Sequence, residues 1–141
     1  MKKKIHKLLI PGSSPFKLLG ISSHENDYRL TWAANSKLGL RLIRSENITA
    51  GNDDTEKLEF SVFQSIDKDK SHKMNLISNR CPNGFLIREM KNIDFFMQIF
   101  GDISQPDLNE IASGLKSIDI VSAVFEIMPE NRKKTWNLPS E

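Results

Sequence analysis

The chain has 141 residues, 38% of them apolar and 27% charged, which is enough for one hydrophobic core and too little for two stable ones. Twenty basic residues against eighteen acidic leave a formal net charge of +2, a balance that does not suit a nucleic-acid coat protein and argues against wholesale disorder. Cys81 is the single cysteine, so an internal disulfide framework and a four-cysteine zinc site are both excluded.

The opening Met1-Lys2-Lys3-Lys4-Ile5-His6-Lys7 is charged, but the apolar stretch behind it is only Leu8–Ile10 before Pro11-Gly12 breaks it. That is too short for a signal peptide, and no apolar run is long enough to cross a bilayer. The expectation is a cytoplasmic protein, one domain over residues 1–141, with an N-terminal arm (1–15) and a C-terminal tail (129–141).

Phe16–Ile21 is an apolar run bounded by Pro15 and Ser22 and reads as a buried strand. Ser22 with Glu25 three residues on has the form of a capping box, so a helix is predicted from Ser23 to Leu38. Its apolar stripe is Leu30, Ala33, Ala34 and Leu38, with Tyr28 and Trp32 on the flank, and Gly39 ends it. Leu40–Arg44 alternates as a half-buried strand. Ile48–Lys57, containing Gly51-Asn52-Asp53-Asp54, reads as a loop.

Leu58–Val62 and Met74–Ile77 read as neighbouring strands across a turn at Asp67–Lys70, and Phe85–Ile87 as another after Pro82-Asn83-Gly84, which together make a meander. Cys81 beside that turn reads as a partly buried free thiol. Ile93, Phe95, Met97 and Ile99 alternate with Asp94, Phe96, Gln98 and Phe100, the pattern of a strand covered on both faces. Ser104, with Pro106 and Asp107, starts a second helix to Ile118, and Gly114 inside it costs about 1 kcal/mol relative to alanine, which packing must offset. Val121–Ile127 is the last strand. Pro129–Glu141 lacks periodicity and reads as a tail, with Trp136 its candidate anchor to the sheet or to a partner chain.

The fold class that follows is α+β: two strand–helix–strand units with an inserted β-meander, a ferredoxin-like, ACT-like mixed or antiparallel sheet, and both helices on one face.

Ile87-Arg88-Glu89-Met90-Lys91-Asn92-Ile93-Asp94-Phe95 resembles the signature of the IPExxxVDY family of small Bacteroidetes proteins. Ile87, Glu89 and Asp94 match it directly, Ile93 and Phe95 are conservative versions of its valine and tyrosine, and Arg88 replaces its proline. Asp27-Tyr28-Arg29-Leu30 before Trp32, and Leu76-Ile77-Ser78-Asn79, are similar to other family features. The resemblance implies a small bacterial cytosolic protein, and it brings no catalytic residues.

Candidate ligand-binding residues fall in two groups. Ser22, Ser23 and His24 stand at a strand-to-helix turn, where free backbone N–H groups and the helix dipole suit an anion. Glu89 and Asp94 are a carboxylate pair, the residue type for acid–base work. His6, His24 and His72 show no metal-ligand spacing, so no metal and no cofactor are expected. Lys2-Lys3-Lys4, Lys7, Arg41, Arg44 and Arg132-Lys133-Lys134 are candidate phosphate contacts, and Phe95, Phe96 and Phe100 candidate base-stacking rings. The leading expectation is a non-enzymatic binding or assembly module, a homodimer that covers an open sheet face through that face or an edge. RNA binding is the alternative, and an enzyme using Glu89 or Asp94 the second.

Overall fold

The computed structural model describes residues 16–53, 56–66, 72–133 and 136–140. The basic arm at 1–15, the turn at Asp67–Lys70 and Lys134 lie outside them.

The fold is α+β. Strands β1 (Phe16–Ser22), β2 (Leu42–Arg44), β5 (Val62–Ser65), β6 (Met74–Ser78), β9 (Phe95–Phe100) and β10 (Ala123–Glu126) form a six-stranded sheet in the order β10-β1-β9-β6-β5-β2. Every neighbouring pair is antiparallel. β1 reaches β2 through helix α1 (Asp27–Leu38), and β9 reaches β10 through helix α2 (Gln105–Lys116). Two short hairpins lie outside the main sheet, β3 (Ile48–Asp53) with β4 (Glu56–Phe60), and β7 (Arg80–Cys81) with β8 (Gly84–Phe85).

Both helices pack on one face. Leu30 and Ala34 of α1, with Leu108 and Leu115 of α2, join Leu19, Ile21, Leu76, Phe95, Met97 and Ile99 in the larger core. α1 starts later than its sequence suggests. Asn26, not Ser22, is the cap, its side chain accepting the Arg29 N–H at 2.9 Å, because Ser22 still belongs to β1. Gly39 ends the helix at φ 65°, the left-handed conformation glycine adopts without cost. Ser104 caps α2 through the Asp107 N–H at 3.2 Å. Gly114 is tolerated there because the helices approach closely: a Cβ at that position would collide with the Leu38 side chain.

The opposite face of the sheet is also covered, and by the chain itself. Leu18, Val62, Ile77 and Phe96 point into a second core with Ile87, Ile93 and Ile127, against which Ile48, Leu86, Met90, Trp136 and Leu138 pack. This corrects three expectations. Ile48–Lys57 is mostly the β3–β4 hairpin rather than loop; Ile48-Thr49-Ala50 is too short a run to show a period, and its pairing with Leu58–Phe60 supplies the order. The strand expected at Leu58–Val62 is two strands, broken at Ser61, where the chain passes from that hairpin into the main sheet. Ile87 is not in a strand but opens a 3-10 turn at Arg88–Met90. The open sheet face that motivated face-to-face dimerisation is therefore filled.

β9 is the central strand, and all six of its residues are buried. Phe95, Met97 and Ile99 face the helices and Phe96 the second core. Alternation groups Ile93 with Phe95, yet it packs with Phe96 in the second core, because it precedes the strand and escapes its pleat. β1 alternates likewise: Leu19 and Ile21 face the helices, and Gly20 leaves room for Ile93, whose Cδ1 would lie 2.8 Å from a Cβ there.

Candidate functional site

The strand-to-helix turn after β1 and the loop before β9 meet. Asp94 N–H donates to the Ile21 carbonyl at 2.8 Å, which sets the loop beside the turn. The Asp94 carboxylate then accepts the Ser23 backbone N–H at 2.7 Å through Oδ2 and pairs with Arg80 Nε at 2.8 Å through Oδ1. Ser22 Oγ donates to the Asn92 carbonyl at 2.7 Å, and Ser23 Oγ to the Ile120 carbonyl at 2.6 Å. Ser22, Ser23 and Asp94 are thus brought together, with the chain's own carboxylate standing where an anion would bind. His24, beside them, is exposed.

Glu89 belongs to a different neighbourhood. It pairs with Lys133 Nζ at 2.9 Å and accepts the Trp136 indole N–H at 3.4 Å. The Lys133 hydrogen bond, then its own backbone N–H and the Trp136 indole, hold its carboxyl below the ordinary glutamate value. Among the described residues Glu89 and Asp94 share no side-chain partner, so they are not joined there as an acid–base pair.

Between them lies Asn79, a fully buried side chain at the end of the Leu76-Ile77-Ser78-Asn79 stretch, to which the sequence assigned no site role. Its Nδ2 donates to the Met90 and Ile93 carbonyls at 3.0 and 2.8 Å, and its Oδ1 accepts the Ile87 N–H at 2.7 Å. A polar residue ending an apolar strand was the only signal available. Ile87, Glu89, Ile93 and Asp94 therefore have distinct positions around one anchored loop: two in the second core, one against Lys133 and Trp136 at the C-terminal strap (residues 136–140), and one on the β1 turn.

Arg132 is half-buried. It donates from Nε and one terminal nitrogen to the Ile127 carbonyl at 3.1 and 2.9 Å, and from the other to the Phe16 carbonyl at 2.9 Å, with its guanidinium 4.9 Å from the Phe16 ring centre. Burial lowers its pKa. With Lys133 on Glu89, these two cations serve the fold. Phe95, Phe96 and Phe100 are buried, so no ring of β9 is presented for base stacking.

Two openings stand out among the described residues. The first is a groove of about 470 Å³ between α1 and the segment after α2, lined by Tyr28, Arg29, Trp32, Ala33, Ile118 and Ile120, with Asp119 on it. Tyr28 and Trp32 are 62% and 73% exposed, although Tyr28 rests edge-on against Phe63 at 5.5 Å. The second is a polar cleft of about 380 Å³ beside the strap. Comparison with protein-family models, curated proteins and solved structures returned no match. Among the described residues no three His, Cys, Asp or Glu side chains converge as metal ligands, and no helix is long and apolar enough to cross a membrane.

Proposed function

We propose that this chain is a non-enzymatic binding and assembly module that forms a homodimer through its helical layer. The observation that carries this reading is the exposed pair Tyr28 and Trp32, one helical turn apart beside an apolar groove. Tyrosine and tryptophan are the residue types that dominate interface energetics, and a contiguous exposed apolar patch marks an interaction surface. A second copy suits the groove because Arg29 and Asp119 both stand on it. Around a two-fold axis the same patch meets itself, so one surface must offer both charges.

Further support comes from elimination of the other surfaces. The second sheet face is occupied by the chain's own hairpin, loop and strap. Of the other large exposed apolar side chains among the described residues, Ile43 and Phe125 sit on the short edge strands β2 and β10, and Ile66 and Met128 stand singly just beyond the ends of β5 and β10. The order of elements suits a ferredoxin-like, ACT-type arrangement in which β5 and β6 are inserted between β9 and β2. The resemblance of Ile87–Phe95 to the IPExxxVDY signature would place the protein in the bacterial cytosol. Nucleic-acid binding has less behind it, since the rings and two of the cations it would use are buried or engaged.

Sedimentation velocity tests the reading. The wild-type chain is expected to be a dimer at tens of micromolar and Trp32→Glu a monomer with an unchanged circular dichroism spectrum. A monomeric wild type at 100 μM would refute it.

A further inference from the structure

The groove in the helical layer has two opposite walls, and each carries one charge. Tyr28, Arg29, Trp32 and Ala33 of α1 form the first; Ile118, Asp119 and Ile120, just past the end of α2, form the second. Both walls are fixed within one copy. The Arg29 N–H is held by the Asn26 cap at 2.9 Å, and Leu30 and Ala34 anchor α1 in the core. In the second wall the Ile118 carbonyl accepts the Val121 N–H at 2.9 Å, and the Ile120 carbonyl accepts the Ser23 hydroxyl at 2.6 Å. A surface whose backbone is already fixed loses little conformational freedom on association.

The two charges are not closed against each other inside the copy. Arg29 reaches only its helical neighbour Glu25, Nε to Oε1 at 3.2 Å, and its side chain stays 65% exposed. Asp119 is exposed, and its carboxylate has no hydrogen bond or ion pair among the described residues. A two-fold axis through the groove exchanges its walls, so that α1 of one copy lies over residues 118–120 of the other, and the reverse. That placement sets Arg29 against Asp119 in both halves at once. An axis on α1 itself brings Arg29 against Arg29, and one on the second wall brings Asp119 against Asp119, and such like-charge contacts are costly.

We infer that the dimer axis passes through the groove, with Arg29 of each copy paired to Asp119 of the partner subunit and Trp32 of each copy seated against Ile118 and Ile120 of the partner subunit. This inference rests on the homodimer reading above and adds which residues meet. The charge pair, made twice, sets register and self-recognition, while Trp32 supplies the buried area. Each groove is completed only by the other copy, because its missing cover is the α1 wall of that copy.

Charge exchange in the full-length chain tests the pairing. Arg29→Glu makes both walls acidic and Asp119→Lys makes both basic, and each is expected to weaken the dimer by about tenfold or more in sedimentation equilibrium. An equimolar mixture of the two is expected to return to within about threefold of wild-type affinity, as a heterodimer of one acidic and one basic chain seen by native mass spectrometry. If a charge-reversed chain failed to fold, cross-linking in a Cys81→Ser background gives the same answer: Arg29→Cys and Asp119→Cys chains should join through a disulfide under oxidised glutathione when mixed, and neither should join to itself. A wild-type dimer whose charge variants self-associate as tightly as wild type, or a mixture that does not cross-link, would overturn the pairing and leave the helical-layer dimer standing. Self-cross-linking of the Arg29→Cys chain would put the axis on α1 and overturn it as well. A wild-type chain that stays monomeric would overturn the pairing and the homodimer together.

Discussion

The Asp94 carboxylate accepts the backbone N–H of Ser23 at 2.7 Å, across 71 residues of sequence. A turn that looked ready for an external anion is thus closed by an internal one. Removing it as Asp94→Ala leaves the buried Ser23 N–H without an acceptor, so a loss of about 2–3 kcal/mol is expected by urea denaturation. Asp94→Asn keeps an acceptor oxygen and loses the Arg80 charge pair, and it should fall between the two.

Asn79 is the larger single point of failure. Two carbonyls and one N–H of the Ile87–Ile93 loop depend on it. Asn79→Ala should lower stability by roughly 3 kcal/mol, and Asn79→Asp should not restore it, because both donated bonds are lost. Thermal denaturation with near-ultraviolet circular dichroism reads both.

Thr31 offers the opposite sign. Its side chain is buried in α1 and its hydroxyl finds no hydrogen-bond partner among the described residues. Thr31→Val removes an unpaired polar group at nearly constant shape and should raise stability by about 1 kcal/mol in the same assay.

Glu89 predicts a pH dependence of the strap. Its carboxyl is held below the ordinary value of 4.5, first by the Lys133 hydrogen bond. A depressed carboxylate contributes fully above its unfolded pKa, and the contribution is lost as pH falls through the folded one. Trp136 emission, measured in a Trp32→Phe background, should therefore shift towards that of a solvated indole only below the ordinary glutamate range. In Glu89→Gln that acid step should be absent.

Much of the fold was legible because its elements obey period and punctuation. β9 alternates between two covered faces, Gly39 stops α1, and Ser104 with Pro106 starts α2, each for a local reason. What sequence missed depends on distant partners. Ile48–Ala50 becomes strand only by pairing with Leu58–Phe60, and Ile93 changes layer because it lies outside the pleat of β9. The candidate residues were partly legible as well. Ser22, Ser23 and Asp94 do meet, but the bond joining them spans half of the chain. Asn79 showed only as a polar residue closing an apolar run, since the role of a buried amide is recognised only by the carbonyls around it.

Backbone hydrogen exchange, compared between 1 μM and 100 μM protein, probes the helical-layer interface most directly. Slower exchange at the higher concentration is expected in Tyr28–Ala33 and Ile118–Ile120, with β3, β4 and the strap unchanged. Exchange in α1 that does not depend on concentration, or protection confined to the strap side, would contradict the assignment of that groove as the surface through which the chain assembles.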